Sequence, residues 1–335
     1  MKLTSITAFL VLTFLAGTAG GAEFTDWLKI EKLASPINMY PPMYPSIADI
    51  GVEVPKDGRT LIFSSSRRAG TDRDLYLAQK VSKDIPWTSD ASGAILVQPI
   101  TALNTDNNWE SCPTLSLNEH ELYFTSSRPD PNYCGAEDIW VSRRHDKSGY
   151  DRWEPAVHID GDCTKQDSIN TPSRELTPDF FEDESGRTIM YFASNRTGNL
   201  NIYQAELYED GTFGPVTPVE ELNSPVEEVA IAVRKDGLEV FFGSRLGHSS
   251  GTNNYISIWT ATRESTSEPW SQPVEVASLH YLNTDPPERV YLMGRIALST
   301  DGRELYFAHT TIAGNANGTD LYVAKREKAN NGKKK

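Results

Sequence analysis

DGRTLIFSSSRRAGTDRDLYLAQK, residues 57–80, is the first of five copies of one sequence pattern. An Asp-Gly turn opens it, and Gly58 suits that turn because glycine adopts a positive φ without steric cost. The apolar run that follows is rich in β-branched and aromatic residues, which favour a buried strand. A polar loop containing Ser-x-Arg then leads to Asp-Leu-Tyr. The stretch therefore predicts two neighbouring β-strands that follow a tight turn.

The pattern returns at residues 118, 185, 236 and 301, so that successive turns lie 51 to 67 residues apart. This period is typical of propeller blades that carry long loops. A further strand of each of the first four copies is expected to begin at an aromatic residue, namely Trp87, Trp153, Phe213 and Trp270. The sequence therefore predicts an all-β fold, a five-bladed β-propeller of four-stranded antiparallel blades.

The two ends of the chain predict how the ring closes. After the strand at residues 321–324 only a short segment remains, so the fifth blade lacks its outer strand. Residues 27–33, WLKIEKL, match the missing element near the N-terminus. We expect this N-terminal strand to pair into the last blade, because closure removes an exposed sheet edge. Residues 23–326 would then form a single propeller, and residues 327–335 a disordered basic tail.

The copies share Ser-x-Asp-Gly-x-x-Leu-Tyr-Phe-x-Ser-x-Arg, followed by Asp-Ile-Tyr/Trp. In these motifs the chain resembles the WD40-like repeats of TolB-type propellers and of periplasmic proteins fused to peptidoglycan-binding modules. The resemblance covers nearly the whole chain after residue 22. It implies a propeller fold and a family that includes binding scaffolds, lyases and propellers attached to peptidases.

The first 22 residues have the features of a signal peptide. Lys2 gives a charged start, residues 6–15 are apolar, and small residues lead up to a cleavage point near Ala22. The chain is therefore expected to be secreted or periplasmic. A net charge of −14 argues against binding nucleic acid or anionic membranes, and no other apolar stretch is long enough to insert into a bilayer.

Three cysteines in an exported chain allow one disulfide and one spare thiol. Cys134 and Cys163 lie in loops that are expected on the same side of the propeller. We predict that these two form the disulfide and that Cys112 stays reduced at the start of a strand.

Carboxylates recur near the expected mouth of the axial channel. Asp49, Glu110 and Glu228 each lie eight residues before a turn, Glu175 matches them in blade three, and blade five has Met293 instead. They are either repeated structural acids, bonded to backbone amides or to the arginine after the next strand, or a cluster that converges on a ligand. A convergent cluster would hold a divalent cation such as calcium, or divide acid and base roles on a glycan.

Blade five departs from the repeat, and a broken repeat is a place where an asymmetric function can enter. It has no repeat arginine, and Arg289, Tyr291 and Arg295 lie near the position of the missing acid. These three residues join the four carboxylates as candidate ligand-binding residues. Loop aromatics on the same face could stack on sugar rings, and these are Trp109, Tyr133 and Tyr281.

No nucleophile or metal motif is recognisable, so the first functional hypothesis is a binding or scaffold protein. It would recognise a glycan, a peptide or an envelope partner through its loop-rich face. The alternative is a carbohydrate-active enzyme, a glycoside hydrolase or polysaccharide lyase, with Glu110, Glu175 and Glu228 as candidate catalytic residues.

Overall fold

The computed structural model describes residues 23–39, 47–68, 72–90, 93–129, 134–135, 137–144, 149–159, 163–165, 167–247, 255–282, 288–310 and 318–329. The predicted signal peptide and its cleavage point lie outside these ranges, as do Tyr133 and residues 330–335. The rest of the predicted tail is described, and there Phe24 bridges Lys328 while the Ala329 amide donates to the Glu23 carbonyl.

The described residues form five four-stranded antiparallel sheets. The N-terminal strand is β1 (Lys29–Lys32). Blade one contains β2 (Asp49–Glu53), β3 (Thr60–Ser65), β4 (Asp74–Lys80) and β5 (Ile95–Pro99). Blade two contains β6 (Glu110–Leu115), β7 (Glu121–Ser126), β8 (Asp138–Arg143) and β9 (Val157–His158). Blade three contains β10 (Glu175–Glu182), β11 (Thr188–Ser194), β12 (Asn201–Leu207) and β13 (Thr217–Pro218). Blade four contains β14 (Glu228–Val233), β15 (Glu239–Ser244), β16 (Ser257–Thr262) and β17 (Val274–Glu275). Blade five contains β18 (Leu292–Leu298), β19 (Glu304–Thr310) and β20 (Thr319–Lys325).

The predicted five-bladed propeller is confirmed, and so is its closure. Strand β1 pairs with β20 in antiparallel register, from Lys29 opposite Lys325 to Lys32 opposite Tyr322. The first strand of each blade is innermost, and these strands pack against one another around the axis. The apolar core is divided into five clusters of buried side chains, one between each pair of neighbouring blades. Within the described residues, no helix has the length and hydropathy that a membrane crossing needs.

A cation–aromatic contact recurs near the outer strands of blades one, four and five. The Lys80 ammonium lies 4.5 Å from the Trp87 ring centre, and the Arg263 guanidinium lies 4.1 Å from that of Trp270. At the closure, Arg326 covers the ring of Trp27 at 4.6 Å and forms a two-bond pair with the buried Glu239. Such contacts are strongest where water is excluded. The N-terminal segment is therefore held in the ring by side chains as well as by strand pairing.

Each innermost strand contains a β-bulge with one residue in the left-handed region, and these residues are Gly51, Cys112, Thr177, Ala230 and Gly294. The strand register places them two residues after Asp49, Glu110, Glu175, Glu228 and Leu292. Leu292, not Met293, therefore occupies the acid position in blade five. The alignment from the turn was wrong by one residue because the bulge of β18 holds one residue more than the others.

Candidate functional site

The candidate residues lie on the face where the innermost strands begin, which we name the top face. The first residues of β2, β6, β10, β14 and β18 lie there, opposite the last residues of the second strands. The Ser-x-Arg loops and the connections between blades join the sheets at the same face.

Each of the four carboxylates at the top face lies in a cage built by its own blade. The Glu110 carboxylate accepts hydrogen bonds from the Thr105 amide and hydroxyl and from the Ser126 hydroxyl, and Arg128 pairs with it at 3.1 Å. Glu175 has the same set of partners, Thr171, Ser194 and Arg196. The blade therefore links its inner strand, its second strand and the preceding loop through one acid.

Blades one and four are variants of this cage. Asp49 accepts a hydrogen bond from Ser65 and pairs with Arg67 at 2.8 Å. Glu228 accepts from the Ser224 amide and hydroxyl and from Ser244.

The repeat arginine of blade four points to a different acid. Arg245 pairs with Glu227 at 2.9 Å rather than with Glu228. Glu228 therefore differs from Glu110 and Glu175, each of which pairs with the arginine of its own blade. A hydroxyl group can accept a hydrogen bond from a protonated carboxyl, whereas a guanidinium can only donate one.

Burial raises the pKa of all four carboxyl groups. Asp49, Glu110, Glu175 and Glu228 are at most 1% exposed. For Glu110 and Glu175 burial raises the pKa, while hydroxyl and amide donors and the arginine of the cage oppose it. For Glu228 burial again raises the pKa, and the neighbouring charge of Glu227 adds to the increase.

The axial channel below the carboxylates is filled by Arg295, whose side chain is 1% exposed. Its guanidinium pairs with Glu53 and Asp179, each at 3.0 Å, and donates to the carbonyl of Val52 and the hydroxyl of Thr114. One side chain from blade five thus reaches blades one, two and three. Arg295 was predicted to be near a ligand site at the top face, and the structure places it among these buried partners.

The charges in the channel are balanced within the protein. Burial would raise the pKa of Asp179, but Lys235 and Arg295 lower it below the ordinary value. Burial raises the pKa of Glu53 in spite of Arg295. Each top-face carboxylate already has hydrogen-bond donors of its own and needs no cation to balance it. A calcium ion at the mouth of the channel stays a prediction.

In blade five an aromatic cluster replaces the cage. Leu292 stands at the acid position and His309 at the position of the cage serine. We use the name blade-five cluster for Tyr255, Tyr281, Glu288, Arg289, Tyr291 and His309. The Tyr291 ring lies 5.3 Å from Tyr255 and 6.3 Å from His309, and Arg289 lies 4.4 Å from the Tyr255 ring.

His309 links the cluster to a carboxylate that is partly exposed. Its Nδ1 accepts the backbone amide of Tyr291 at 3.0 Å, so Nε2 carries the proton and donates to Glu288 at 3.2 Å. Burial lowers the pKa of His309 although Glu288 opposes this. The Glu288 side chain is 39% exposed, in contrast to the caged acids.

The loop aromatics differ in their surroundings. Trp109 is 38% exposed with Arg73 over its ring, and Tyr281 is 48% exposed with Arg289 5.5 Å from its ring centre. The structure brings together the predicted residues Arg289, Tyr291 and Tyr281 and leaves Arg295 apart from them. Sequence reasoning missed Tyr255, Glu288 and His309. The signal for His309 is visible in FAHT of blade five, where the other copies have serine at this position.

The predicted disulfide is confirmed. Cys134 and Cys163 are bonded, with their Cα atoms 5.2 Å apart, and Cys112 is a free buried thiol. Among the described residues, one group of side chains could hold a metal ion, namely Cys134, Asp138 and His158.

No protein-family model and no curated protein matches the sequence. Solved structures do match the fold. The catalytic domain of a Coprinopsis cinerea α-L-arabinofuranosidase of glycoside hydrolase family 62 is 12% identical, with a TM-score of 0.55 over 90% of this chain and 97% of that one. A family-62 α-L-arabinofuranosidase from Podospora anserina, in complex with cellotriose, gives the same values. A family-43 β-xylosidase/α-arabinofuranosidase from a compost metagenome, in complex with xylotriose and calcium-free, is 14% identical, with a TM-score of 0.52 over 90% of this chain and 98% of that one.

Two predictions are corrected by these comparisons. The assignment to the TolB-type or WD40-like family is wrong, since no family model matches and the structural neighbours are glycoside hydrolases of families 62 and 43. The repeat motif follows from the geometry of a propeller blade, so it does not distinguish between families that share this fold. The hypothesis of a binding or scaffold protein is also wrong, because the neighbours favour the alternative of a carbohydrate-active enzyme.

Proposed function

We propose that this chain is a glycoside hydrolase that acts on a glycan containing arabinose or xylose at its top face. The observation that carries the proposal is the blade-five cluster, which breaks the fivefold repeat with rings, an arginine and an exposed carboxylate. The fold likeness to arabinofuranosidases and xylosidases over about nine-tenths of the chain supports the class of reaction.

The blade-five cluster has the chemistry of a sugar site. Tyrosine rings offer flat apolar surfaces with hydroxyl groups at their edges, which suit the two faces and the hydroxyls of a sugar ring. Tyr281 is the most exposed of these rings, and Arg289 lies between the rings of Tyr281 and Tyr255. Substrate would therefore stack on Tyr281 and donate hydroxyl hydrogen bonds toward Glu288.

Glycoside hydrolysis requires two carboxyl groups, one as the acid and the other as a base or nucleophile. We assign one of these two carboxyl groups to Glu288, because its side chain is partly exposed and His309 fixes one of its oxygens. The acid stays a prediction among Glu110, Glu175 and Glu228. Of these we favour Glu228, because Arg245 pairs with Glu227 instead and, besides burial, the charge of Glu227 raises the pKa of Glu228. Substrate reaches Glu228 only if the Ser224 hydroxyl gives way.

The test is a hydrolysis assay of the chain that starts at residue 23. Aryl α-L-arabinofuranosides, aryl β-D-xylosides, arabinan and arabinoxylan are supplied with calcium and with a chelator. We expect release of arabinose or xylose, and loss of substrate affinity in Tyr281→Ala. Trp109→Ala, which changes an exposed ring of blade two, is the matched control and should retain affinity. Lack of turnover on every substrate under both conditions would refute the proposal.

We also propose that the enzyme works outside the cytoplasm, on an extracellular or envelope glycan. The signal-like N-terminus, the acidic surface charge and the disulfide support this location. Expression with the native N-terminus, followed by N-terminal sequencing of the exported protein, should give a chain that starts at Glu23. A cytoplasmic protein that still begins at Met1 would contradict this.

A further inference from the structure

A corner of blade two brings together sulfur, carboxylate and imidazole groups away from the blade-five cluster. Cys134 precedes β8, Asp138 begins β8, His158 ends β9, and Cys163 follows in the connection to blade three. One ligand atom each of Cys134, Asp138 and His158 lies within 4.8 Å of the other two. The disulfide brings Cys163 into the same corner.

Asp138 has an oxygen that its surroundings do not satisfy. The residue is 3% exposed, and its Oδ1 atom has no hydrogen-bond partner within the described part of the chain. Acids near the start of the third strand in two other blades pair with a basic side chain, Asp320 with Lys32 at 2.7 Å and Asp74 with Arg68 at 3.7 Å. In blade two the other oxygen of Asp138, Oδ2, faces His158 Nε2 at 3.5 Å. A buried carboxylate oxygen without a partner is costly, and a cation would remove that cost.

His158 presents the lone pair that a metal requires. Asn170 is held in one orientation, because its Oδ1 accepts the Ile139 amide and its Nδ2 donates to the Ile139 carbonyl. The same Nδ2 lies 2.9 Å from His158 Nε2, so this ring nitrogen is an acceptor and carries no proton. Neutral imidazole, whose unprotonated nitrogen carries a lone pair, is the form of histidine that binds metals.

We propose that this corner is a redox-dependent zinc site, with the disulfide and the metal as its two alternative states. A dithiol reductant transfers two electrons and two protons to the Cys134–Cys163 bond and is itself oxidised to a disulfide. Zn²⁺ then displaces the two thiol protons and is held by both sulfurs, by His158 Nε2 and by the Asp138 carboxylate. The product is a four-coordinate site of two sulfurs, one nitrogen and one oxygen.

The donor set and its placement suit zinc. Thiolate, imidazole and carboxylate are its usual ligands, and tetrahedral Zn–S bonds of about 2.3 Å place two sulfurs about 3.8 Å apart. The two Cα atoms are already 5.2 Å apart, so the sulfurs can separate by side-chain rotation. The four residues are buried or nearly so, which keeps water from competing. Asn170 would lose its contact with His158 and keep both hydrogen bonds to Ile139.

Cobalt provides the test, because Co²⁺ in a tetrahedral thiolate site absorbs visible light. The chain from residue 23 is reduced with a dithiol, freed of it under argon, and titrated with Co²⁺ and then Zn²⁺. We expect one equivalent of Co²⁺ with thiolate and tetrahedral absorption, displaced by Zn²⁺, in the reduced protein alone. Cys112→Ser should bind as the parent does, and Asp138→Asn should bind at least about tenfold more weakly.

Three results would overturn the proposal. These are equal cobalt spectra of the oxidised and reduced protein, loss of the signal in Cys112→Ser, and unchanged affinity in Asp138→Asn. If reduction alone unfolds the chain, Zn²⁺ should restore its near-ultraviolet circular dichroism, and failure to do so also counts against the site.

Discussion

At the scale of single residues, the top-face carboxylates show what a repeated acid does in a propeller. Glu110 and Glu175 each join a loop hydroxyl, a strand serine and an arginine within one blade. Glu228 retains the hydroxyls, but the arginine of its blade pairs with Glu227. The three glutamates are therefore similar in position and unequal in charge balance.

This inequality predicts unequal losses of stability. Glu110→Gln and Glu175→Gln should each lower the free energy of unfolding by about 1.5–3 kcal/mol, because a buried arginine loses its charge-assisted partner. Glu228→Gln should cost less, since it leaves no arginine behind in its cage. Urea unfolding of the three variants at neutral pH measures the difference. Equal losses in all three would contradict the account of the blade-four cage.

The pH dependence of stability should differ between the parent and Glu228→Gln. Burial raises the folded-state pKa of Glu228, so the folded protein binds this proton more tightly than the unfolded chain. The resulting stabilisation is fully present below the ordinary glutamate pKa and is lost as the pH rises through the raised value. The stability of the parent relative to Glu228→Gln should therefore fall as the pH rises above 4.5, the ordinary pKa of glutamate. Urea unfolding across this range tests the sign, and a difference that grows with pH would refute it.

Arg295 is the residue whose role the sequence could not reveal. It lies in the extra-long bulge of β18, and its partners Glu53, Thr114 and Asp179 come from three other blades. Arg295→Met should lower the free energy of unfolding by about 3–5 kcal/mol, because it leaves Glu53 and Asp179 buried without this partner. Arg289→Met, at a side chain that is 24% exposed and packs on tyrosine rings, should cost no more than about 1 kcal/mol. Chemical unfolding of both variants makes the comparison, and a similar small effect of each would show that Arg295 does not hold the channel together.

At the scale of strands and loops, the repeat was readable because each turn and buried run has a local physical cause. The Asp-Gly turns, the aromatic strands and the N-terminal closing strand followed from the residues themselves. The acid position of blade five could not be predicted in this way. One additional residue in the β18 bulge shifts the strand register, and nothing in the sequence signals it. The blade-five cluster was only partly predicted, since Tyr255 and Glu288 come from separate loops that the fold brings to His309.

The closing strand β1 supports a prediction at the same scale. Deleting residues 23–33 removes the partner of β20 and also Trp27, which packs against Phe241 and under Arg326. The truncated chain should be insoluble or should melt well below the parent, because a sheet edge is exposed and Arg326 loses the Phe24 and Trp27 rings that cover it. Leu28→Ser, at a position that is 64% exposed, is the control and should melt with the parent. A soluble truncated chain with the parental melting temperature would show that closure is not needed.

At the scale of the whole molecule, four blades carry a caged acid and the fifth carries rings, an arginine, a histidine and an exposed carboxylate. A propeller places all five blade tops around one axis, so a single irregular blade gives the top face one distinct sector. The channel beneath is closed by Arg295 and its partners. Substrate is therefore expected to lie across the top face, beside blade five, and not to enter the channel.

The most direct test of this account is the turnover number of Glu288→Gln on the best substrate of the assay, beside that of Glu110→Gln. If Glu288 contacts the reacting glycan, its variant should lose at least about a hundredfold in kcat while unfolding like the parent. Glu110→Gln should lose stability and retain kcat at a temperature where it is folded, because the acid is assigned to Glu228. The reverse result, with Glu288→Gln fully active and Glu110→Gln folded but inactive, would contradict the assignment of the two reacting carboxyl groups to Glu288 and Glu228.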